Sequence, residues 1–187
     1  MRKAMPVSDG MMFTKQGDEN MPDLFIPEGE EREFHKQMLG KKASVNGIRI
    51  LSEMDPAGWQ DHWTDTDASE YCYRLIYCSG CGYFVGDTAY RKTGEGVADL
   101  WLMIDGDMRR EGYGAAVLKQ IAEEAHTHGI LTLRIVLPAD HPDLPFFQNR
   151  CFKQTGRTDS ELILQADTAD LIECECNEDV CSLNDHS

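Results

Sequence analysis

A chain of 187 residues with 41% hydrophobic content is long enough for one domain with a sizeable core. No apolar run approaches the ~20 residues needed to span a bilayer, and Met1-Arg2-Lys3-Ala4-Met5-Pro6 has no apolar stretch behind it, so neither a membrane partner nor a secretory signal is expected. The net charge of −15 disfavours nucleic acid, whose phosphates need a basic surface, and suits a cationic acceptor such as an amine, polyamine or basic peptide.

Residues 1–27 are rich in Met, Gly, Asp and Pro without periodicity and read as a flexible or loosely docked arm. From Pro27 to Leu39, acidic residues in a first turn, an apolar stripe at Phe34 and Met38, and Gly40 as a stop predict a helix. Ile48 to Leu51 reads as a short strand and Asp55 to Trp63 as a helical stretch. Two aromatic and β-branched runs, Tyr71 to Tyr77 and Gly82 to Tyr90, predict a hairpin with Cys78-Ser79-Gly80-Cys81 between them. A second turn at Lys92 to Gly96 leads into the apolar run Val97 to Ile104. After it come Arg109-Arg110-Glu111-Gly112-Tyr113-Gly114, a helical pattern to His128, a strand at Leu131 to Leu137 and a short amphipathic stretch at Asp143 to Asn149. Two strands, Lys153 to Thr158 and Glu161 to Gln165, close the domain.

Residues 167–187 hold seven acidic side chains and no Lys or Arg, leaving −8 for residues 1–166. They read as a solvated acidic tail, dispensable beyond Gln165 for ligand binding by the domain. The order of elements predicts an α+β fold, with helices around one mixed sheet.

The stretch from Arg109 to Gly114 is the most informative. A buried strand, a loop with two glycines and a helix aim backbone N–H groups and the positive end of a helix dipole at one spot, a site for phosphate or pyrophosphate. Gly112 and Gly114 permit close approach, and Arg109 and Arg110 add charge-assisted contacts. There is no Gly-x-x-x-x-Gly-Lys-Ser/Thr, and the glycine spacing differs from the dinucleotide fingerprint. Arg109-x-x-Gly112-x-Gly114 after an apolar strand resembles the pyrophosphate loop of the GNAT superfamily of acyl-CoA-dependent N-acetyltransferases. The resemblance runs from about Ile48 to Gln165 and is strong at the loop. Downstream, where the family reads roughly Asn-x-x-Ala-x-x-x-Tyr-x-x-x-Gly-Phe, this chain has Asp140, Asp143, Phe147 and Cys151, and only Phe152 matches.

The resemblance implies a mostly antiparallel mixed sheet flanked by helices over residues 28–166, with acetyl-CoA as acyl donor and an amine-bearing substrate. It also allows a homodimer. It implies a donor site formed by Arg109, Arg110, Glu111, Gly112, Tyr113, Gly114 and Ala115, with backbone groups of Leu102, Met103 and Ile104 for the pantetheine arm. Phe147, also expected to line the donor site, stands where the family has a tyrosine acid, and a phenyl ring cannot donate a proton. The observation that would test this reading is a V-shaped opening between the strands at 97–104 and 131–137. For a base, the residues themselves offer Asp99, inside an apolar strand where an unpaired carboxylate is costly, and Asp87 in the neighbouring strand. A non-catalytic domain that binds acyl-CoA or a protein partner is the competing reading.

Seven cysteines without a secretory context read as reduced thiols in a cytoplasmic protein. Cys78-x-x-Cys81-Gly resembles half a zinc site, but Cys174-x-Cys176-x4-Cys181 has poor spacing for the other half, so no metal is expected. A redox pair is disfavoured because Cys78 and Cys81 lie in a hairpin turn and not at a helix start.

Overall fold

The computed structural model describes residues 22–26 and 69–174. The helices expected at 27–39 and 55–63 and the strand at 48–51 lie outside the described residues.

Among the described residues, seven strands form one sheet in the order β1-β2-β3-β4-β5-β7-β6. They are β1 (Asp23–Phe25), β2 (Tyr71–Cys78), β3 (Tyr83–Gly94), β4 (Val97–Ile104), β5 (Thr132–Pro138), β6 (Lys153–Arg157) and β7 (Glu161–Asp167). Neighbours pair antiparallel except β4 and β5, which run parallel and are joined by α1 (Tyr113–Thr127). A parallel pair needs such a crossover, and here the helix supplies it. The expected α+β fold is thus observed.

Helix α1 forms because Val117, Leu118, Ile121, Ala122 and Ala125 repeat on one stripe, and all five are buried. It stops at Gly129, whose φ of 77° suits a left-handed cap, with the Ile130 N–H on the Ala125 carbonyl. The stripe packs on a core that includes Leu100, Leu133, Ile135, Leu137, Leu162 and Leu164. Helices α2 (Leu144–Gln148) and α3 (Thr168–Glu173) each add a side chain to the same core, Phe147 and Leu171. The other face of β2, β3 and β4 carries Tyr71, Tyr73, Leu75, Ala89 and Trp101.

Two terminal expectations need correction. The arm does not run to residue 27 as loose chain: Asp23–Phe25 pairs with β2, and Gln120 of α1 donates to the Pro22 carbonyl at 2.9 Å. The acidic tail does not begin at 167 either. Asp167 ends β7, and α3 buries Leu171 and Thr168, whose hydroxyl bonds to the Ile130 carbonyl at 3.1 Å. Charge counting over 167–187 averaged a docked helix together with the residues beyond it.

Candidate active site

Strands β4 and β5 touch for three residue pairs only: Val97 with Thr132, Ala98 with Leu133 and Asp99 with Arg134. Beyond that, Leu100 to Ile104 pair with β3 alone, and Ile135 to Pro138 with β7 alone. The two strands part, and among the described residues the edge of β4 from Leu100 to Ile104 has no strand partner. Peptide groups on such an edge need water or a ligand. The gap between the two strands is a V-shaped opening. Leu102, Met103 and Ile104 lie on its open half, all partly exposed.

The loop from Arg109 to Gly112 leads from that open end into α1. Arg110 and Gly112 both have positive φ, 68° and 83°. Backbone turned this way lets successive N–H groups converge on an anion. The Ala115 and Ala116 N–H groups bond back to the Gly112 carbonyl at 3.1 and 3.2 Å. Those of Tyr113 and Gly114 lie at the helix start, ahead of any intrahelical acceptor. Gly114 lies close under Phe146: a Cβ there would sit 3.2 Å from Cζ of the ring, which would have to shift by a few tenths of an ångström.

Arg109 spans the mouth of the opening. Its Nε donates to the Ile104 carbonyl at 3.3 Å, and its Nη1 pairs with Asp143 Oδ1 at 3.1 Å. Arg110 and Glu111 are exposed, the latter placing a negative charge in the same loop. Phe147, expected to line the donor site, is only 4% exposed and packs edge-on against Phe146 and Phe152. Phe146 is the ring that faces the loop. The sequence placed two adjacent rings in this turn but could not say which one points inward.

The two candidate carboxylates lie on the same face at different levels. Asp99 sits at the last closed pair of the opening, with Oδ1 2.5 Å from Arg134 Nε. That bond holds the Arg134 guanidinium above its usual pKa. Asp87 pairs with Met103, level with the open half. It is 1% exposed, and Trp101 Nε1–H donates to its Oδ1 at 2.6 Å. The Tyr73 hydroxyl also bonds to Asp87; burial first, and then the Asp87 charge, push that phenol well above its usual value. Ala89, opposite both rings in the register, leaves the space that lets Tyr73 and Trp101 lean toward Asp87. Near them the Tyr71 hydroxyl is buried without a hydrogen-bond partner. These three aromatic residues were not singled out as site residues from the sequence. The aromatic and β-branched run from Tyr71 to Tyr77 was legible, but not the strand register that brings Asp87 beside it.

His141 accepts the Asp143 N–H on Nδ1 at 3.1 Å, and its buried Nε2 has no partner. The expectation of seven reduced thiols is also corrected. The hairpin turn brings the Cys78 and Cys81 Cα atoms to 5.1 Å, within disulfide range, and the two sulfurs are bonded. Among the described residues no group of three His, Cys, Asp or Glu side chains is placed to hold a metal, and no helix is long and apolar enough to cross a membrane.

No model of a protein family matches the sequence, and no curated protein matches it either. Solved structures do share its architecture. One is the PaiA N-acetyltransferase from Thermoplasma acidophilum in complex with coenzyme A, with a TM-score of 0.62 and 12% identity over 78% of this chain and 98% of that one. Another is the spermidine N-acetyltransferase from Vibrio cholerae in complex with CoA and spermine, with a TM-score of 0.65 and 9% identity over 81% and 98%. A GNAT-family acetyltransferase from Streptococcus pneumoniae has a TM-score of 0.60 and 13% identity over 78% and 99%. At these identities the likeness is one of fold, and the chain has the fold of the GNAT acetyltransferases.

Proposed function

We propose that the protein is an N-acetyltransferase that moves an acetyl group from acetyl-CoA to a primary amine of a small molecule or protein. The observation that carries this reading is the parting of β4 from β5 beside the glycine loop. An extended amide-bearing arm can complete the unpaired edge at Leu102 to Ile104, while its pyrophosphate rests on N–H groups from Gly112 to Gly114 with Arg110 alongside. Acetyl-CoA supplies the thioester. Asp87 is assigned the proton from the ammonium, directly or through one water, because it lies level with the open half and Asp99 is committed to Arg134. With Phe147 in the core, no phenol of α2 protonates the leaving group. A thiol of ordinary pKa, about 8.5, leaves tolerably as thiolate near neutral pH. The structural neighbour bound to CoA and spermine supports an amine acceptor.

Calorimetry with CoA is expected to give micromolar affinity, about −8 kcal/mol. Gly112→Asp puts a carboxylate where the pyrophosphate would lie and should weaken binding at least about tenfold. Undiminished binding would remove the loop from the site. The missing phenol favours a second reading, a non-catalytic acyl-CoA binder. Tight CoA binding with no turnover across a broad amine panel would make that reading the better one.

A further inference from the structure

The β2–β3 turn presents its two sulfurs unequally. Cys78 is 4% exposed, whereas Cys81 is exposed. Two donors converge on the buried sulfur: the Cys81 N–H at 3.0 Å and the Tyr113 hydroxyl at 3.0 Å. The Tyr113 oxygen lies 3.8 Å from the Cys81 sulfur as well. Tyr113 is the first residue of α1, directly after Gly112. The pair that sits in a hairpin turn in sequence therefore lies against a helix start in space.

We infer that Cys78 and Cys81 form a reversible thiol–disulfide exchange site for low-molecular-weight thiols and disulfides, with Cys81 as the attacked sulfur and Cys78 as the stabilised leaving thiolate. In reduction, an external thiolate attacks Cys81 Sγ. A new S–S bond forms to Cys81, the Cys78–Cys81 bond breaks, and its electron pair leaves on Cys78 Sγ. The Cys81 N–H and the Tyr113 O–H receive that charge, and the nearby positive end of α1 favours it further. A second external thiolate attacks the external sulfur of the mixed disulfide, releasing the small disulfide and freeing Cys81, which takes a proton from water. Two small thiols are oxidised and one protein disulfide is reduced; a small disulfide drives the reverse. Attack at the open sulfur with departure from the better-stabilised one is the fast direction for such exchange.

A consequence follows at the donor site, and this part rests on the acyl-CoA reading above. A Cys78 thiolate and a bound pyrophosphate compete for the same helix end. The disulfide form therefore binds CoA more tightly, and CoA by the same factor favours the disulfide.

The test uses the full chain in glutathione buffers, with alkylation and peptide mass spectrometry to follow each cysteine. Reversible opening of the pair is expected, with any trapped glutathione on Cys81. Tyr113→Phe removes one donor to the leaving sulfur and should slow reduction about tenfold. A pair that resists glutathione, an adduct on Cys78, or an unchanged rate in Tyr113→Phe would overturn the assignment. Calorimetry then compares the affinity of the oxidised and reduced protein for acetyl-CoA, which has no free thiol to enter the exchange, with a ratio of at least about threefold expected. Cys81→Ser, at an exposed position, should behave as the reduced form in any buffer. Equal affinities in the two forms would refute the coupling. Absence of CoA binding in both would instead refute the donor reading and leave the exchange result standing.

Discussion

At the scale of single residues, the two carboxylates separate by what holds them. Asp99→Asn removes half of a partly exposed ion pair with Arg134 and should cost about 1 kcal/mol of stability, with turnover retained. Asp87→Asn should lower kcat about 10²–10⁴-fold with CoA affinity intact, measured with any working amine acceptor. Wild-type rates in Asp87→Asn would make that carboxylate structural. Tyr71 tests the same face from another side. Its hydroxyl is buried without a partner, so Tyr71→Phe should stabilise the fold by about 1 kcal/mol near neutral pH. Burial first, then the charges of Cys72 and Asp87, push the Tyr71 phenol above its ordinary value. Folded protein thus holds a proton that the unfolded chain gives up. The stability from the neutral phenol is complete below pH about 10, the unfolded value, and falls as pH rises above it. Urea midpoints measured from pH 7 to 11 should decline above pH 10 less steeply in Tyr71→Phe than in wild type. An identical alkaline decline would show that Tyr71 is not responsible.

At the scale of elements, α3 changes how the C-terminus is understood. Leu171 is nearly fully buried against the core on which α1 packs, and His126 of α1 meets Thr168 at 2.9 Å. Leu171→Ala should cost about 3 kcal/mol by the usual scale for a buried leucine. Truncation after Gln165 should lower the melting temperature markedly, contrary to the expectation from charge alone. Calorimetric melting of both variants checks this, and an unchanged midpoint would return the segment to a passive tail. The elements between Tyr71 and Gln165 were otherwise legible to within a few residues. Their signals are local: aromatic and β-branched runs in β2 and β3, a five-residue apolar stripe in α1, and glycines at its two ends. The misjudged segments were those whose order depends on a distant partner. Asp23–Phe25 is a strand because β2 offers an edge, and residues 168–173 are helical against α1.

At the scale of the whole molecule, a net charge of −15 sets up a field that draws cations. If the acceptor is a polyamine, its kcat/KM should fall at least about threefold as salt is raised well above physiological levels, since screening then acts within a few ångströms. A salt-independent kcat/KM would separate the acidity from substrate capture and leave it as a solubility feature.

The sequence by itself determined the local order of strands, loop and helix, and with it the resemblance to the GNAT acetyltransferases. Periodicity, turn residues and the Arg109 to Gly114 spacing are properties of neighbours along the chain. Only the tertiary structure decided where β4 leaves β5, which carboxylate is tied up by Arg134, and which phenylalanine faces the loop. It also joined Cys78 to Cys81 and laid Tyr113 across them. Apart from the Cys78–Cys81 bond, which closes within one turn, each of these depends on register, on side chains separated by 30 or more residues, or on a choice between adjacent rings. Composition and spacing carry no information about which of several compatible pairings gives the lowest free energy.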